Sequence, residues 1–156
     1  MILWLSSFPK SGNTWLRSLI ACYLDDDRNK TVFEKIKNIE RFPSPSHFKG
    51  ILNFDALKNN EFEICKNWIP SQKKINLSDE FRIFKTHNFG GSYKGSWFTN
   101  SENTCGFIYI VRDPRSIAVS YAHHIDIPFE KSVEIICNED QFETNEKNII
   151  EIRSSW

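Results

Sequence analysis

The chain carries no surplus charge of either sign: 20 Lys and Arg face 20 Asp and Glu in 156 residues. A protein held to nucleic acid or to an anionic membrane by its overall field would be strongly basic, so neither is an expected partner and any anion site must be local. No stretch approaches the roughly 20 consecutive apolar residues of a membrane span. The N-terminal apolar run is too short for a signal peptide and lacks a basic leader. The expected location is therefore the cytoplasm. Only four cysteines occur, Cys22, Cys65, Cys105 and Cys137, with no Cys-x-x-Cys pair and no zinc-like spacing. They are expected to be buried free thiols in a reducing compartment, with no metal bound. Internal repeats are absent as well. So is a Walker A loop, which needs Gly, four residues, then Gly-Lys-Ser/Thr.

What is present begins at the N-terminus. Ile2-Leu3-Trp4-Leu5 reads as a buried strand, and apolar residues at Trp15, Leu16, Leu19, Ile20, Tyr23 and Leu24 follow a helical period. Between them lies Ser6-Ser7-Phe8-Pro9-Lys10-Ser11-Gly12-Asn13-Thr14. A loop running into a helix start offers free backbone N–H groups and the positive end of the helix dipole. Gly12 permits a tight turn, Lys10 adds a full charge, and Ser11, Asn13 and Thr14 add donors. That set suits a phosphate-like anion.

Further along, Thr31-Val32-Phe33-Glu34 is a capping box that should open a helix running to about Arg41, stopped by Pro43-Ser44-Pro45-Ser46. Phe54, Leu57, Phe62, Ile64, Trp68 and Ile69 indicate one or two short helices and a packed loop between His47 and Gln72. Phe81-Arg82-Ile83-Phe84 reads as a strand ending at Lys85-Thr86-His87. Residues 88–103, rich in Gly, Ser and Asn, read as a long surface loop whose Tyr93, Trp97 and Phe98 could wall a pocket. Gly106-Phe107-Ile108-Tyr109-Ile110-Val111 is almost wholly apolar, as in a parallel sheet covered on both faces. After it, Asp113 should cap a helix with Pro114 in its first turn. Two more helices are expected over Pro128–Asn138 and Thr144–Ser154.

Strands alternating with helices imply a single parallel α/β domain over residues 1–156. In open parallel sheets ligands bind beyond the carboxyl ends of the strands. The Lys10 loop, Lys85-Thr86-His87 and Arg112 each follow a strand, so the three should meet in one composite site. His123 and His124 point about 100° apart on a helix with no third ligand, which disfavours a metal. They read as surface or cleft residues. Arg115 reads as a solvated charge.

Taken together, Pro9-Lys10-Ser11-Gly12-Asn13-Thr14-Trp15, Lys85-Thr86-His87 and the run from Tyr109 through Arg112 to Ser120 resemble the motifs of sulfotransferases that use 3′-phosphoadenosine 5′-phosphosulfate (PAPS). The resemblance implies a P-loop NTPase-like parallel sheet flanked by helices, with sulfonate transfer from PAPS to a hydroxyl or amine of a small-molecule or glycan acceptor. Lys10, Ser11, Gly12, Asn13, Thr14 and Trp15 would bind the 5′-phosphosulfate, and Arg112 and Ser120 the 3′-phosphate. His87 would be the base, Lys85 would steady the sulfonate oxygens, and Lys10 would stabilise charge on the leaving phosphate; no metal is required. Two departures stand out. Asn13 replaces a common Thr, and Asn88-Phe89 replaces Leu-Pro beside the histidine, which should alter the acceptor wall. The family's Gly-rich basic segment near the C-terminus is missing here, so the domain is expected to be incomplete at that end. The alternatives are a non-catalytic nucleotide-binding remnant and a P-loop kinase or NTPase. The latter needs a Walker lysine, and only Asp113 could approximate its Mg²⁺-binding Asp.

Overall fold

Three strands pair side by side in the computed structural model, which describes residues 1–52, 61–78, 80–138, 141–144 and 150–153. They are β1 (Ile2–Ser7), β2 (Arg82–Thr86) and β5 (Thr104–Ile110), all parallel in the order β2-β1-β5. β1 lies at the centre, and its register aligns Ser6 with Thr86 on one side and Tyr109 on the other. The three strand ends therefore lie at one level. Every chain segment leaving those ends is brought to the same edge of the sheet.

The strands are joined by helices, as a parallel sheet requires: α1 (Asn13–Leu24), α2 (Val32–Lys35), α3 (Glu61–Lys66) and α4 (Trp68–Asn76) between β1 and β2, then α5 (Pro114–Ile125) and α6 (Phe129–Cys137) after β5. An aromatic cluster fills one face of the sheet. Trp4, fully buried, sits 5.3 Å from the Phe42 ring and 5.0 Å from Phe98, and Phe48, Trp68 and Phe84 complete the packing. Its indole N–H donates to Thr104 Oγ1 at 2.8 Å, satisfying the polar group that such burial would otherwise strand. On the other face Leu5 packs against Ala21 of α1 and Ile39. A third cluster joins Phe8 to Ile117 and Ala118 of α5 and Ile136 of α6.

Several sequence expectations change. The capping box at Thr31 and Glu34 forms with both reciprocal bonds, but α2 lasts one turn and passes into a 3₁₀ turn at Ile36–Asn38, well short of Arg41. Residues 88–103 are no surface loop. They contain the hairpin strands β3 (Ser92–Tyr93) and β4 (Ser96–Trp97), turned by Lys94 and Gly95 at positive φ, as a two-residue hairpin turn demands. Asn88, Phe98 and Asn103 are buried. β5 is an edge strand among the described residues, with Phe107 45% and Tyr109 61% exposed. A continuous apolar run thus does not ensure cover on both faces. Where a helix was expected over 144–154, β6 (Gln141–Thr144) and β7 (Ile150–Arg153) pair antiparallel; Ile150-Glu151-Ile152-Arg153 has a period of two, and its β-branched residues favour extension. Phe54 and Leu57 lie outside the described residues. All four cysteines are free, yet only Cys65 is buried, while Cys105 and Cys137 are exposed.

His47, which has no evident role in the sequence, is a structural histidine. Ser44 N–H can only donate, and it reaches His47 Nδ1 at 3.1 Å, so that nitrogen is an acceptor and the proton sits on Nε2, 3.2 Å from Glu40 Oε2. Burial pushes its pKa below the usual histidine value of 6.5, outweighing the pull of Glu40. The unfolded chain therefore takes up a proton at pH values where the folded chain refuses it. Stability is complete above about 6.5 and declines as pH falls below it. The melting temperature should drop between pH 7.5 and 5.5, and His47→Gln should flatten that slope; parallel slopes in the two proteins would refute the assignment.

Candidate active site

The first strand-end loop is built to hold an anion. α1 starts at Gly12 with no side chain capping it and no acidic residue in its first turn, so its leading N–H groups face outward with the dipole behind them. Gly12 has φ 104 and Lys10 φ 68. A Cβ on Gly12 would meet nothing within 4 Å, so the glycine is required by its backbone angle and not by crowding. Lys10 holds a left-handed conformation that side chains disfavour, and three ties keep the loop in place. Arg112 Nη1 donates to the Lys10 carbonyl at 3.0 Å, Ser11 N–H donates to the Phe8 carbonyl at 3.3 Å, and Phe8 is buried against α5 and α6. Strain held by several independent contacts is a mark of functional loops.

Asn13 does something other than offer its amide to a ligand. Its side chain is buried and donates to the Leu5 carbonyl at 2.9 Å and to Ser7 Oγ at 3.2 Å. Ser7 in turn meets His87. His87 Nδ1 lies 2.7 Å from the Ser7 carbonyl and 3.3 Å from Ser7 Oγ. A carbonyl can only accept, so Nδ1 carries the hydrogen and Nε2 is the basic nitrogen. The start of α1 and the histidine at the end of β2 are thus joined through the end of β1.

At the end of β5, Asp113 caps α5 by accepting from Arg115 N–H at 2.9 Å. Arg115 is solvent-exposed, as expected, and it also pairs with the Asp113 carboxylate through Nε at 3.0 Å and Nη2 at 2.6 Å. This pairing lowers the Asp113 pKa to about 2. Asp113 is thus engaged by Arg115, while Arg112 reaches the Lys10 loop.

These segments enclose a cavity of about 820 Å³. Lys10, Gly12, Asn13, Thr14, Trp15, Lys85, His87, Arg112 and Ser120 all line it. Ser11 does not; it is buried under the loop with its Oγ lacking a hydrogen-bond partner. Reasoning from sequence missed Ser18, Arg41, Tyr121 and Ile125 in the lining; His124 joins it, whereas His123 does not. Ser18 was legible as one turn of α1 beyond Thr14, and His124 as one turn of α5 beyond Ser120. Arg41 carried no local signal. The proposed aromatic wall is absent: Phe98 is buried in the core, Tyr93 packs against it, and neither they nor Trp97 reach the cavity. Asn88 is also buried, donating to Thr86 Oγ1 at 3.1 Å from both its backbone and its amide. Among the described residues no cluster of His, Cys, Asp or Glu could hold a metal, and no helix is long and apolar enough to cross a membrane.

A parallel α/β sheet with an uncapped, cationic loop–helix junction at its carboxyl edge defines a protein that handles phosphate-like anions. Residues 2–152 match the family described as the sulfotransferase domain, and the chain belongs to that family. It is 29% identical over 126 residues to luciferin sulfotransferase of Photinus pyralis, covering 77% of this chain and 32% of that protein. It is 27% identical over 125 residues to sulfotransferase 1B1 of Mus musculus, covering 76% and 33%. Among solved structures, retinol dehydratase in complex with androsterone and inactive cofactor PAP aligns with a TM-score of 0.47 at 19% identity, over 86% of this chain and 45% of that one. The chain thus spans about a third of the length of the curated relatives it matches.

Proposed function

We propose that residues 1–156 form one domain that transfers a sulfonate group from PAPS to an acceptor hydroxyl or amine, with a small molecule or glycan as acceptor. One observation carries this reading: a single cavity gathers the Lys10 loop, His87 and the Arg112/Ser120 pair from three separate strand ends. The residues suit such a substrate. The uncapped start of α1 beside Lys10 suits a 5′-phosphosulfate, and the planar fork of Arg112 with the Ser120 hydroxyl suits a 3′-phosphate.

In the reaction the acceptor oxygen attacks sulfur. A new O–S bond forms as the S–O bond to the 5′-phosphate breaks, and the electron pair leaves on the phosphate. His87 Nε2 takes the acceptor's proton, its tautomer held by the Ser7 carbonyl. Lys10 and the loop amides offset the charge growing on the leaving phosphate oxygen, as donors aimed at developing charge do in phosphoryl transfer. Lys85, two residues before the base on the same face of β2, steadies the sulfonate oxygens. No disulfide joins the four cysteines, which accords with a reducing, cytoplasmic setting.

The first test is thermal. 3′,5′-Bisphosphoadenosine (PAP) should raise the melting temperature more than equimolar ATP or AMP, since binding only to the folded state stabilises it. Stabilisation by ATP alone would overturn the reading in favour of an NTPase. PAP binding without transfer of labelled sulfonate to any of a panel of phenols, alcohols and sugars would reduce it to nucleotide binding.

A further inference from the structure

The direction of the Lys10 side chain is set by one peptide plane. The Lys10 carbonyl and the Ser11 N–H belong to the same rigid amide, and both ends of it are held. Ser11 N–H donates to the Phe8 carbonyl at 3.3 Å, and Arg112 Nη1 donates to the Lys10 carbonyl at 3.0 Å. The first bond closes a turn over Phe8-Pro9-Lys10-Ser11, with Pro9 second and Lys10, at φ 68, third. That third place demands a positive φ when proline precedes it in a type II turn, and glycine or asparagine usually fills it. A lysine there is strained. Released, its backbone would fall back to negative φ, the amide would turn, and the bond that carries the side chain would swing with it.

The two ties are unequal. The bond to Phe8 is long for an N–H···O contact and joins neutral groups, whereas the bond from Arg112 has the usual length and is charge-assisted. The Arg112 bond also comes from outside the turn. Arg112 stands 102 residues further along the chain, just past the end of β5, and the register of Ser7 with Ile110 brings that end beside the loop. The turn's own bond closes the turn; the Arg112 bond fixes it against the sheet.

This contact does not exhaust Arg112. A guanidinium has five N–H donors, and a neutral carbonyl takes one of them without cancelling the charge. The adjacent acid, Asp113, is held by Arg115. A planar fork can therefore hold a loop carbonyl and a phosphate together. On the reading proposed above, which this inference rests on, Lys10 offsets charge on the leaving phosphate and Arg112 meets the 3′-phosphate. We propose that Arg112 is in addition a positioning residue for Lys10: it holds the Lys10–Ser11 amide, and its loss slows the transfer step itself, beyond any weakening of nucleotide binding.

Single-turnover transfer of labelled sulfonate from PAPS, followed to saturation with the full chain, separates the two roles. Arg112→Met should raise the half-saturating concentration and also lower the plateau rate, by about tenfold and up to the ~10² that an ångström of misplacement can cost. Arg112→Lys should recover part of the affinity, since the charge persists. It should keep most of the loss in plateau rate, because one ammonium lacks the fork that fits carbonyl and phosphate together. Hydrogen exchange at the Ser11 amide reads the same tie without turnover. In Arg112→Met it should quicken by about tenfold or more, the share of a charge-assisted bond. The Leu16 amide, bonded to the Gly12 carbonyl at the start of α1, should keep its parental rate and so report an intact fold. A parental plateau reached at higher PAPS in Arg112→Met would leave Arg112 a 3′-phosphate ligand only, and unchanged Ser11 exchange would show that the amide needs no tie. Either result overturns the inference alone, as would Arg112→Lys with affinity and plateau both restored. A parent chain that neither binds PAP nor transfers sulfonate overturns the functional reading instead, and the inference goes with it.

Discussion

Replacing His87 by alanine should lower sulfonate transfer by about 10²–10⁴-fold, the usual contribution of a positioned general base, while PAP binding persists. The expectation rests on geometry. Nδ1 is committed to the Ser7 carbonyl at 2.7 Å, so the lone pair must sit on Nε2 of a residue that lines the cavity. Ser7 is itself fixed by Asn13, which makes the orientation of the ring part of the buried framework. His87→Gln is the sharper variant. Its amide can still donate to Ser7, preserving the local packing, but it cannot take up a proton at neutral pH. Single-turnover rates with labelled PAPS should be equally depressed in both variants. Parental transfer in either one would remove His87 as the base.

Lys10 should be nearly as costly to lose. Lys10→Ala removes a cation from where negative charge grows on the leaving phosphate, and such donors are worth about 10²–10³ in rate. Lys10 also strains the backbone at φ 68, so the loss of rate must be separated from a change in fold. Lys10→Gly does this. Glycine accepts positive φ without a Cβ penalty, so this variant should melt no lower than the parent yet transfer as slowly as Lys10→Ala. A Lys10→Gly protein with parental rate would show that the lysine serves the loop's shape and not the chemistry.

How much of this was visible beforehand depended on how local the cause was. The anion loop was legible because a lysine, a glycine and small polar residues between a strand and a helix already state their chemistry. Asp113 and Pro114 opened α5 as expected, and Thr31 with Glu34 formed both bonds of their box, since capping is settled within four residues. Asn13 was misjudged for the opposite reason. Its donors were correctly noted, but their partners, Leu5 O and Ser7 Oγ, are presented only when α1 folds back on β1. Arg115 stays solvated as expected, but its pairing with Asp113 was not legible, because nothing in a string of residues says which of two arginines an aspartate will choose.

Non-local pairing set the rest. The apolar run of β5 marked a strand without telling whether it would be central or at an edge; β1 took the centre and left Phe107 and Tyr109 exposed. The terminal segment, read as helix, is strand: the period of two in Ile150–Arg153 gained a partner in Gln141–Thr144, and that pairing selected extension. By itself the sequence determined the three sheet strands, the capped starts of α2 and α5 and the chemical character of each strand end, because these follow from neighbours in the chain. Only the tertiary structure decided how those ends line one cavity, that Asn13 and Ser7 hold His87 in a single tautomer, and that Arg41 joins the cavity wall. Each depends on groups as much as about 100 residues apart in the chain being held within hydrogen-bonding distance, and that distance is set by the register of the sheet.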